Sequence, residues 1–137
     1  MIIPDWSSAF SVGHPLLDSQ HQKLLALCSH AAECVEDHSL EGTEYFHHLL
    51  NELSVYASQH FMTEEQILIQ HNYPHLHDHQ AMHDQYETRL GNFFFEAMSG
   101  NADRAGVHEF LAEWWTHHIL ISDMGYRDFL KTASQES

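Results

Sequence analysis

Four long stretches of this sequence repeat apolar residues at alternating steps of three and four, the spacing of a helix with one buried face. Histidine interrupts each of the four apolar stripes, and the second stripe also carries Glu64. The fourth stripe consists of Val107, Leu111, Trp114, His118 and Ile121. Because the connections between the stretches are short, successive helices are expected to pack antiparallel. The sequence therefore predicts an all-α fold, an up-down-up-down four-helix bundle with an N-terminal arm and a short C-terminal helix.

The predicted helices start and stop at residues that commonly mark helix ends. They are expected at about 15–37, 42–70, 74–99 and 103–122, with a short fifth helix at about 126–132. Pro15 suits a first helical position, Asn72 is interpreted as a cap and Pro74 as the first turn of the third helix. The first dozen residues, with Trp6 and Phe10, are expected to pack across the bundle.

Composition limits the class of protein. The chain has 137 residues, 43% of them hydrophobic, which predicts a single domain spanning 1–137. Five Lys and Arg against 20 Asp and Glu give a net charge of −15, which argues against nucleic-acid binding and against an anionic membrane surface. The sequence has no secretory signal and no apolar run long enough for membrane insertion, so we expect a cytoplasmic protein with Cys28 and Cys34 reduced.

Six ionisable side chains lie on stripes that are predicted to be buried: His21, His60, Glu64, His79, His83 and His118. A single such histidine is usually a core residue bonded to a neighbouring polar group. An unsatisfied buried polar group costs about 1–3 kcal/mol. Five unsatisfied buried histidines would therefore cost about as much as the whole stability of a domain. A bound multivalent cation removes this cost, because imidazoles donate lone pairs and carboxylates supply charge.

Spacing supports a shared metal site for two pairs of these residues. His60 and Glu64 are four residues apart, as are His79 and His83, so each pair projects from one helix face. His118 and Asp123 are five apart, which on a straight α-helix separates them by about 140° around the axis. For that pair the helix must bend, loosen or end before both side chains can meet.

Four motifs together resemble those of the hemerythrin family, in their order and in their internal spacing. They are Asp18–His21, His60–Glu65, His79–His83 and His118–Asp123, preceded by an opening segment at Trp6–Gly13. The resemblance extends from about Trp6 to Leu130. It implies reversible dioxygen binding at a non-haem centre of two irons joined by an oxo or hydroxo bridge.

The resemblance also implies a role for each ligand. One iron takes His79, His83 and His118, the other takes His21 and His60, and Glu64 and Asp123 bridge the two. The iron held by His21 and His60 would keep one open position, where dioxygen is expected. Five residues match positions that line the oxygen pocket in the family, with ordinary bundle core as the alternative: Leu24, Phe61, Trp114, Trp115 and Ile119.

Two further residues stand out beside these motifs. Trp115 is bulkier than expected next to the open site, which predicts unusual access or autoxidation. Tyr126 follows Asp123 by three residues and either orients a ligand or packs at the surface. The ten histidines outside the ligand set are expected to be mostly solvated.

The function predicted from the resemblance is oxygen transport, storage or delivery without catalysis. Two alternatives remain open: an oxygen or redox sensor, and a di-iron enzyme that handles peroxide, nitric oxide or iron. A ferritin-like oxidase is disfavoured because it needs two Glu-x-x-His helices, whereas this chain has only Glu44 with His47. No protein partner that would receive the oxygen can be named from the sequence.

Overall fold

The computed structural model describes residues 5–136, which form helices and turns with no strand among them. A 3-10 turn at Ser8–Phe10 precedes the helices, which are α1 Pro15–Glu33, α2 Leu40–Gln70, α3 Leu76–Met98, α4 Arg104–His117 and α5 Asp123–Glu136, with a π-helical turn at His118–Ser122 between the last two. The predicted all-α class is confirmed. Within the described range, no helix is both long enough and apolar enough to cross a membrane.

The first four helices pack as a bundle. Helix α1 contacts α2 and α4, α2 contacts α3, and α3 contacts α4, so the four close around a common interior. The chain passes from α4 through the π turn into α5 without leaving helical structure. The separate short helix expected at 126–132 is therefore wrong in its bounds, because α5 begins at Asp123 and prolongs the fourth helix.

Helix α1 ends at Glu33, four residues before the predicted end. Arg104, which is almost fully buried, donates hydrogen bonds to the backbone oxygens of Cys34 and Asp37 and to Thr43 Oγ1. The guanidinium thus satisfies carbonyl groups that the end of a helix leaves without partners. This contact from α4 fixes the turn between α1 and α2.

The turn between α2 and α3 also differs from the sequence prediction. Asn72 adopts a left-handed conformation with φ of 55°, and the Tyr73 N–H donates to Leu68 O at 3.0 Å. These are features of a helix C-terminus, so Asn72 ends α2 and does not cap α3. Pro74 lies in the turn, and α3 begins at Leu76.

Two apolar clusters fill the bundle. The larger one lies among α1 to α4, and the half-buried Trp6 and Phe10 of the N-terminal arm pack against it. The smaller one joins residues of the arm, α1, α2 and α5, namely Val12, Leu17, Leu68, Tyr126 and Leu130. The arm therefore packs on the bundle as predicted for the part that is described, while residues 1–4 of that prediction lie outside the described range.

One residue of the predicted buried stripes lies at the surface. Val107, Leu111 and His118 are buried as expected, but Ile121 on the same predicted stripe is 62% exposed. The α-helical period used for the prediction does not hold across the π turn, which inserts one extra residue into a helical turn. The extra residue rotates Ile121 away from the interior.

Candidate metal centre

Burial separates the predicted ligands from the rest of the polar residues. Eight polar or charged side chains are buried among the described residues, and seven of them are the predicted ligands, each at most 2% exposed. The eighth is Arg104. The ten other histidines are all at least partly exposed. Burying seven ionisable side chains together is costly unless a group inside the protein, such as a bound cation, compensates for the lost water.

Helices α1, α2 and α3, the π turn and α5 bring these side chains together. His21 comes from α1, His60 and Glu64 from α2, His79 and His83 from α3, His118 from the first position of the π turn and Asp123 from the first position of α5. The pairs on α2 and α3 share a helix face through their four-residue spacing. The shell lies between the two apolar clusters, since Phe61 of the larger one stacks on His83 and Tyr126 of the smaller one contacts His79.

The π turn explains how His118 and Asp123 meet. Its backbone bond runs from the Asp123 N–H to His118 O, one residue further than in an α-helix. Residues five apart therefore stand above one another, as residues four apart do in an α-helix. His118 Nε2 lies 3.0 Å from Asp123 Oδ1, so the helix loosens where the sequence required it to.

The ligands form two groups, each with donor atoms mutually within 4.8 Å. The first group is Glu64, His79, His83 and His118, and the second is His21, His60, Glu64 and Asp123. Either group has the nitrogen and carboxylate donors that hold a transition metal ion. Glu64 belongs to both groups, which places the two potential ion sites side by side.

Glu64 presents one oxygen to each group. Its Oε1 lies 3.0 Å from His83 Nε2 and 3.5 Å from His118 Nε2 and also contacts His79. Its Oε2 lies 3.2 Å from His60 Nε2 and 3.6 Å from His21 Nε2. A carboxylate placed in this way can bind two ions at once.

Asp123 also presents one carboxylate oxygen to each set of imidazoles. Its Oδ1 lies 3.2 Å from His79 Nε2 and 3.0 Å from His118 Nε2. Its Oδ2 lies 3.0 Å from His21 Nε2. The structure thus brings together all seven predicted residues, with both carboxylates positioned between the same two sets of imidazoles.

Two residues that sequence analysis missed fix the orientation of histidines in the shell. His60 Nδ1–H donates to Gln20 Oε1 at 2.7 Å, and His83 Nδ1–H donates to Glu65 Oε2 at 3.1 Å. Each bond places the proton on Nδ1 and leaves the Nε2 lone pair facing the centre, as metal ligation requires. Both partners lie next to a ligand in sequence, Gln20 before His21 and Glu65 after Glu64, and that adjacency was the available signal.

Several buried nitrogen and oxygen atoms of the shell lack a hydrogen-bond partner and are suited to coordinate a cation. Both ring nitrogens of His21, Nε2 of His60 and both carboxylate oxygens of Asp123 make no hydrogen bond. A buried polar atom without a partner is costly, and the atoms here converge from different helices. Ions coordinated between them would satisfy the lone pairs of Nε2 and of the carboxylates together.

The electrostatics of the shell favour positive charge at its centre. Burial lowers the pKa of His21, but the Asp123 and Glu64 carboxylates outweigh it and raise that pKa to about 10. The pKa of His79 is likewise raised to about 10 against burial. Burial opposes ionisation of Glu64 and Asp123, yet the surrounding histidines hold the pKa of each carboxyl below its usual range. Metal ions and protons therefore compete for the same sites.

The predicted oxygen-pocket residues lie around this shell, at different places. Leu24, Phe61, Trp115 and Ile119 are buried, whereas Trp114 is half-buried. The ring of Trp115 lies 6.2 Å from the ring of His60, which belongs to the second group. Trp114 stacks on His118 at 4.4 Å, which places it beside the first group. The indole N–H of Trp115 donates to Tyr86 Oη at 3.2 Å.

Tyr126 contacts the centre directly. Its hydroxyl donates to Glu64 Oε2 at 3.0 Å, and its side chain is fully buried. Of the two interpretations offered by the sequence, burial excludes surface packing, and the hydrogen bond to the predicted ligand Glu64 agrees with the other. Burial, together with the Asp123 and Glu64 carboxylates, raises the pKa of Tyr126 well above 10, so the phenol keeps its proton.

Comparison with known proteins agrees with this geometry. Residues 12–130 match the family described as the Hemerythrin HHE cation binding domain. The chain is 25% identical over 126 residues to a bacteriohemerythrin of Clostridium acetobutylicum, covering 90% of this chain and 98% of that protein. It is 28% identical over 126 residues to a hemerythrin-like protein of Naegleria gruberi, covering 92% of each chain. A crystal structure of wild-type hemerythrin superposes with a TM-score of 0.84 at 20% identity, covering 93% of this chain and 97% of that one. This chain belongs to the hemerythrin family.

Proposed function

We propose that this protein binds dioxygen reversibly at a centre of two iron ions and serves to carry, store or deliver oxygen, without acting as an enzyme. The observation that carries the proposal is the pair of buried donor groups that share Glu64 and differ by one histidine, with Asp123 in contact with imidazoles of both. Two of the similar proteins are described as bacteriohemerythrin and hemerythrin-like protein, which supports the assignment.

Because the two groups contain different numbers of histidines, the two ions would have different numbers of protein ligands. His79, His83 and His118 would hold one iron, His21 and His60 would hold the other, and Glu64 and Asp123 would bridge them together with an oxo or hydroxo group. The second group supplies one nitrogen fewer, so an ion there keeps a position for an external ligand. When bound, the pair of irons supplies the electrons that dioxygen takes up on binding and returns on release.

Buried residues of the predicted oxygen pocket would keep bulk water away from the shell, and Trp115 among them lies beside the second group. Leu24, Phe61, Trp115 and Ile119 are each at most 2% exposed. Their apolar surface strengthens the electrostatic interactions inside the shell and leaves no room for bulk solvent. Exclusion of water would disfavour the irreversible reduction of dioxygen at this site, which favours a carrier over an oxidase.

The hydrogen bonds of Tyr126 and Trp115 would limit the supply of protons to the centre. Tyr126 directs its hydroxyl hydrogen to Glu64, and its raised pKa keeps the proton on the phenol at neutral pH. The Trp115 indole N–H is directed to Tyr86 instead of the centre. Reduction of dioxygen consumes protons, so restricted proton donation supports reversible binding.

The direct test is iron content together with the visible spectrum of the anaerobically reduced, aerated and purged protein. Two irons per chain and a colour that appears with oxygen and fades on purging would support a carrier. Two irons that oxidise once and stay oxidised would favour a peroxide- or nitric oxide-handling enzyme, or a redox sensor. A chain that takes up no iron would refute the proposal.

A matched pair of variants tests the ligand assignment. His60→Ala removes one of the two histidines of the second group and should lower both iron content and oxygen binding. His77→Ala removes an exposed histidine of α3 and should change neither. If the His60 variant keeps full iron content and oxygen binding, the assignment of ligands is wrong.

A further inference from the structure

The two donor groups differ in the residue that supports a ligand histidine from behind. In the first group, His83 Nδ1–H donates to a carboxylate oxygen, Glu65 Oε2, at 3.1 Å. In the second group, His60 Nδ1–H donates to an amide oxygen, Gln20 Oε1, at 2.7 Å. The two hydrogen bonds have the same donor atom, but the acceptor is a carboxylate in one group and a neutral amide in the other.

The charge of the acceptor changes how strongly an imidazole binds a metal ion. A hydrogen bond with an ionised partner is about twice as strong as one between neutral groups, so a carboxylate attracts the Nδ1 proton more than an amide does. Electron density in the ring then shifts toward Nε2, and the imidazole becomes a more basic ligand. His83 should therefore donate more strongly to an ion than His60 does.

Glu65 is positioned to act on the centre through His83. It belongs to neither donor group, and its side chain is 24% exposed at a surface cleft between α2 and α3. The His83 ring is also held from a second side, because Phe61 stacks on it with 3.9 Å between the ring centres. The charge at position 65 can therefore be changed while the ring keeps its orientation.

The other ligand histidines do not cancel this difference. Nδ1 of His21 in the second group and Nδ1 of His118 in the first make no hydrogen bond within the described part of the chain. Each group thus gains one supporting hydrogen bond of this kind from these residues, and the carboxylate acceptor lies on the side of the first group.

We propose that Glu65 is a positioning residue that strengthens the first ion site through His83, and that the neutral Gln20 leaves the second site weaker. The ion of the first group is then the more firmly held one, and the ion of the second group is the more easily exchanged. Although it rests on the two-ion centre proposed above, this role of Glu65 concerns metal affinity and does not involve dioxygen.

The test is withdrawal of Zn²⁺ from the zinc-loaded, full-length protein by increasing concentrations of a chelator. Zinc binds imidazole and carboxylate ligands and has no redox chemistry, so its affinity is measured apart from any reaction with oxygen. Nitrogen NMR signals of the ligand imidazoles report which group has lost its ion. In the native chain the second group should lose zinc at a lower chelator concentration than the first.

Two reciprocal variants separate the charge of the acceptor from the orientation of the ring. Glu65→Gln keeps an oxygen that accepts from His83 Nδ1–H but removes the charge, and it should weaken zinc binding by the first group about 10- to 100-fold. The NMR signal of this N–H should persist at a shifted position. Gln20→Glu adds a charge behind His60 and should strengthen the second group. Both positions are half-buried, so the variants should keep the native circular dichroism spectrum.

Glu87→Gln is the matched control. Glu87 lines the same surface cleft as Glu65 and is exposed, so this variant removes an equal charge nearby and leaves the hydrogen bond to His83 in place. Zinc affinity should stay unchanged at both groups. A loss as large as that of Glu65→Gln would show that the general surface charge sets the affinity, and would contradict the proposal.

Three further results would overturn the proposal. They are tighter zinc binding by the second group than by the first in the native chain, unchanged affinity of the first group in Glu65→Gln, and equal weakening of both groups in that variant. Equal weakening would indicate a displaced Glu64, which both groups share. None of these results bears on the iron content or the oxygen-dependent spectrum of the native protein, so failure here is distinguishable from failure of the proposed function.

Discussion

Deleting Ile121 should convert the π turn into a regular α-helical turn and leave the metal centre intact. In the native chain His118 and Asp123 are five residues apart, which in an α-helix would separate them by about 140° around the axis. With one residue removed they are four apart, and an α-helix then separates them by only about 40°. Asp123 would therefore still face the interior, and every residue of α5 would keep its phase.

The cost to stability should be small because of the residue that is lost. Ile121 is 62% exposed, and changes at exposed positions usually alter the free energy of unfolding by about 0.5 kcal/mol or less. The backbone bond from Asp123 to His118 would be retained, now over an α-helical turn. We expect the metal-free variant to unfold within a few degrees of the parent chain.

Deleting the exposed Glu113 from α4 is the matched control. This deletion rotates all residues that follow position 113 by about 100° relative to the start of α4. Trp115 and His118 can then no longer face the interior together with Leu111. Exposing a buried tryptophan costs about 3–5 kcal/mol, and leaving a buried charge without its partner costs a similar amount. Together these losses approach the whole stability of a domain, so this variant should not take up iron.

The assay is iron per chain after reconstitution, with thermal unfolding of the metal-free and loaded forms. The expected result is near-native iron content for the Ile121 deletion and none for the Glu113 deletion. If the Ile121 deletion loses its iron as completely as the control does, the π turn is not simply one extra residue in an α-helix. The account of how His118 and Asp123 meet would then be wrong.

Four further outcomes are expected. Tyr126→Phe removes the hydrogen bond to Glu64 and should lower iron affinity about 10- to 100-fold in chelator competition, with the fold unchanged. Trp115→Leu opens space beside His60 and should shorten the lifetime of the oxygenated form, followed by its visible absorbance, while destabilising the protein by about 2–4 kcal/mol. Arg104→Met leaves the carbonyls at the end of α1 unsatisfied and should lower the free energy of unfolding by about 2–4 kcal/mol in urea titration. Burial raises the pKa of the Cys28 thiol well above its ordinary value, so this residue should react with a thiol reagent at pH 8 only after unfolding; fast labelling of the native protein would contradict its burial.

Sequence reasoning located the metal shell because a buried imidazole is unusual and helical spacing is regular. His60 and Glu64, or His79 and His83, need only the α-helical period to share a face. Their burial then follows from the apolar residues on the same stripe. These positions could be predicted from physical principles without knowing how the helices dock.

The features that the sequence did not reveal depend on tertiary contacts or on local departures from the α-helix. The early end of α1 depends on Arg104, which reaches it from α4. The hydrogen bond of His60 to Gln20 joins α2 to α1, and spacing along a single helix carries no information about it. The surface position of Ile121 follows from the π turn, whose presence was required by the His118 and Asp123 spacing but whose form was left open.

The two donor groups draw their histidines from different helices, so ions held by them would have different lifetimes. The first group takes its histidines from α3 and the π turn and the second from α1 and α2, while Glu64 of α2 and Asp123 of α5 contact both. Local opening of α3 would release an ion from the first site only, opening of α1 would release one from the second only, and opening of α2 would release both. Exchange of isotopically labelled iron, timed against amide hydrogen exchange in each helix, would therefore show which helix opens most often. The rate at which each ion is lost would therefore measure how often the helices that supply its ligands open locally.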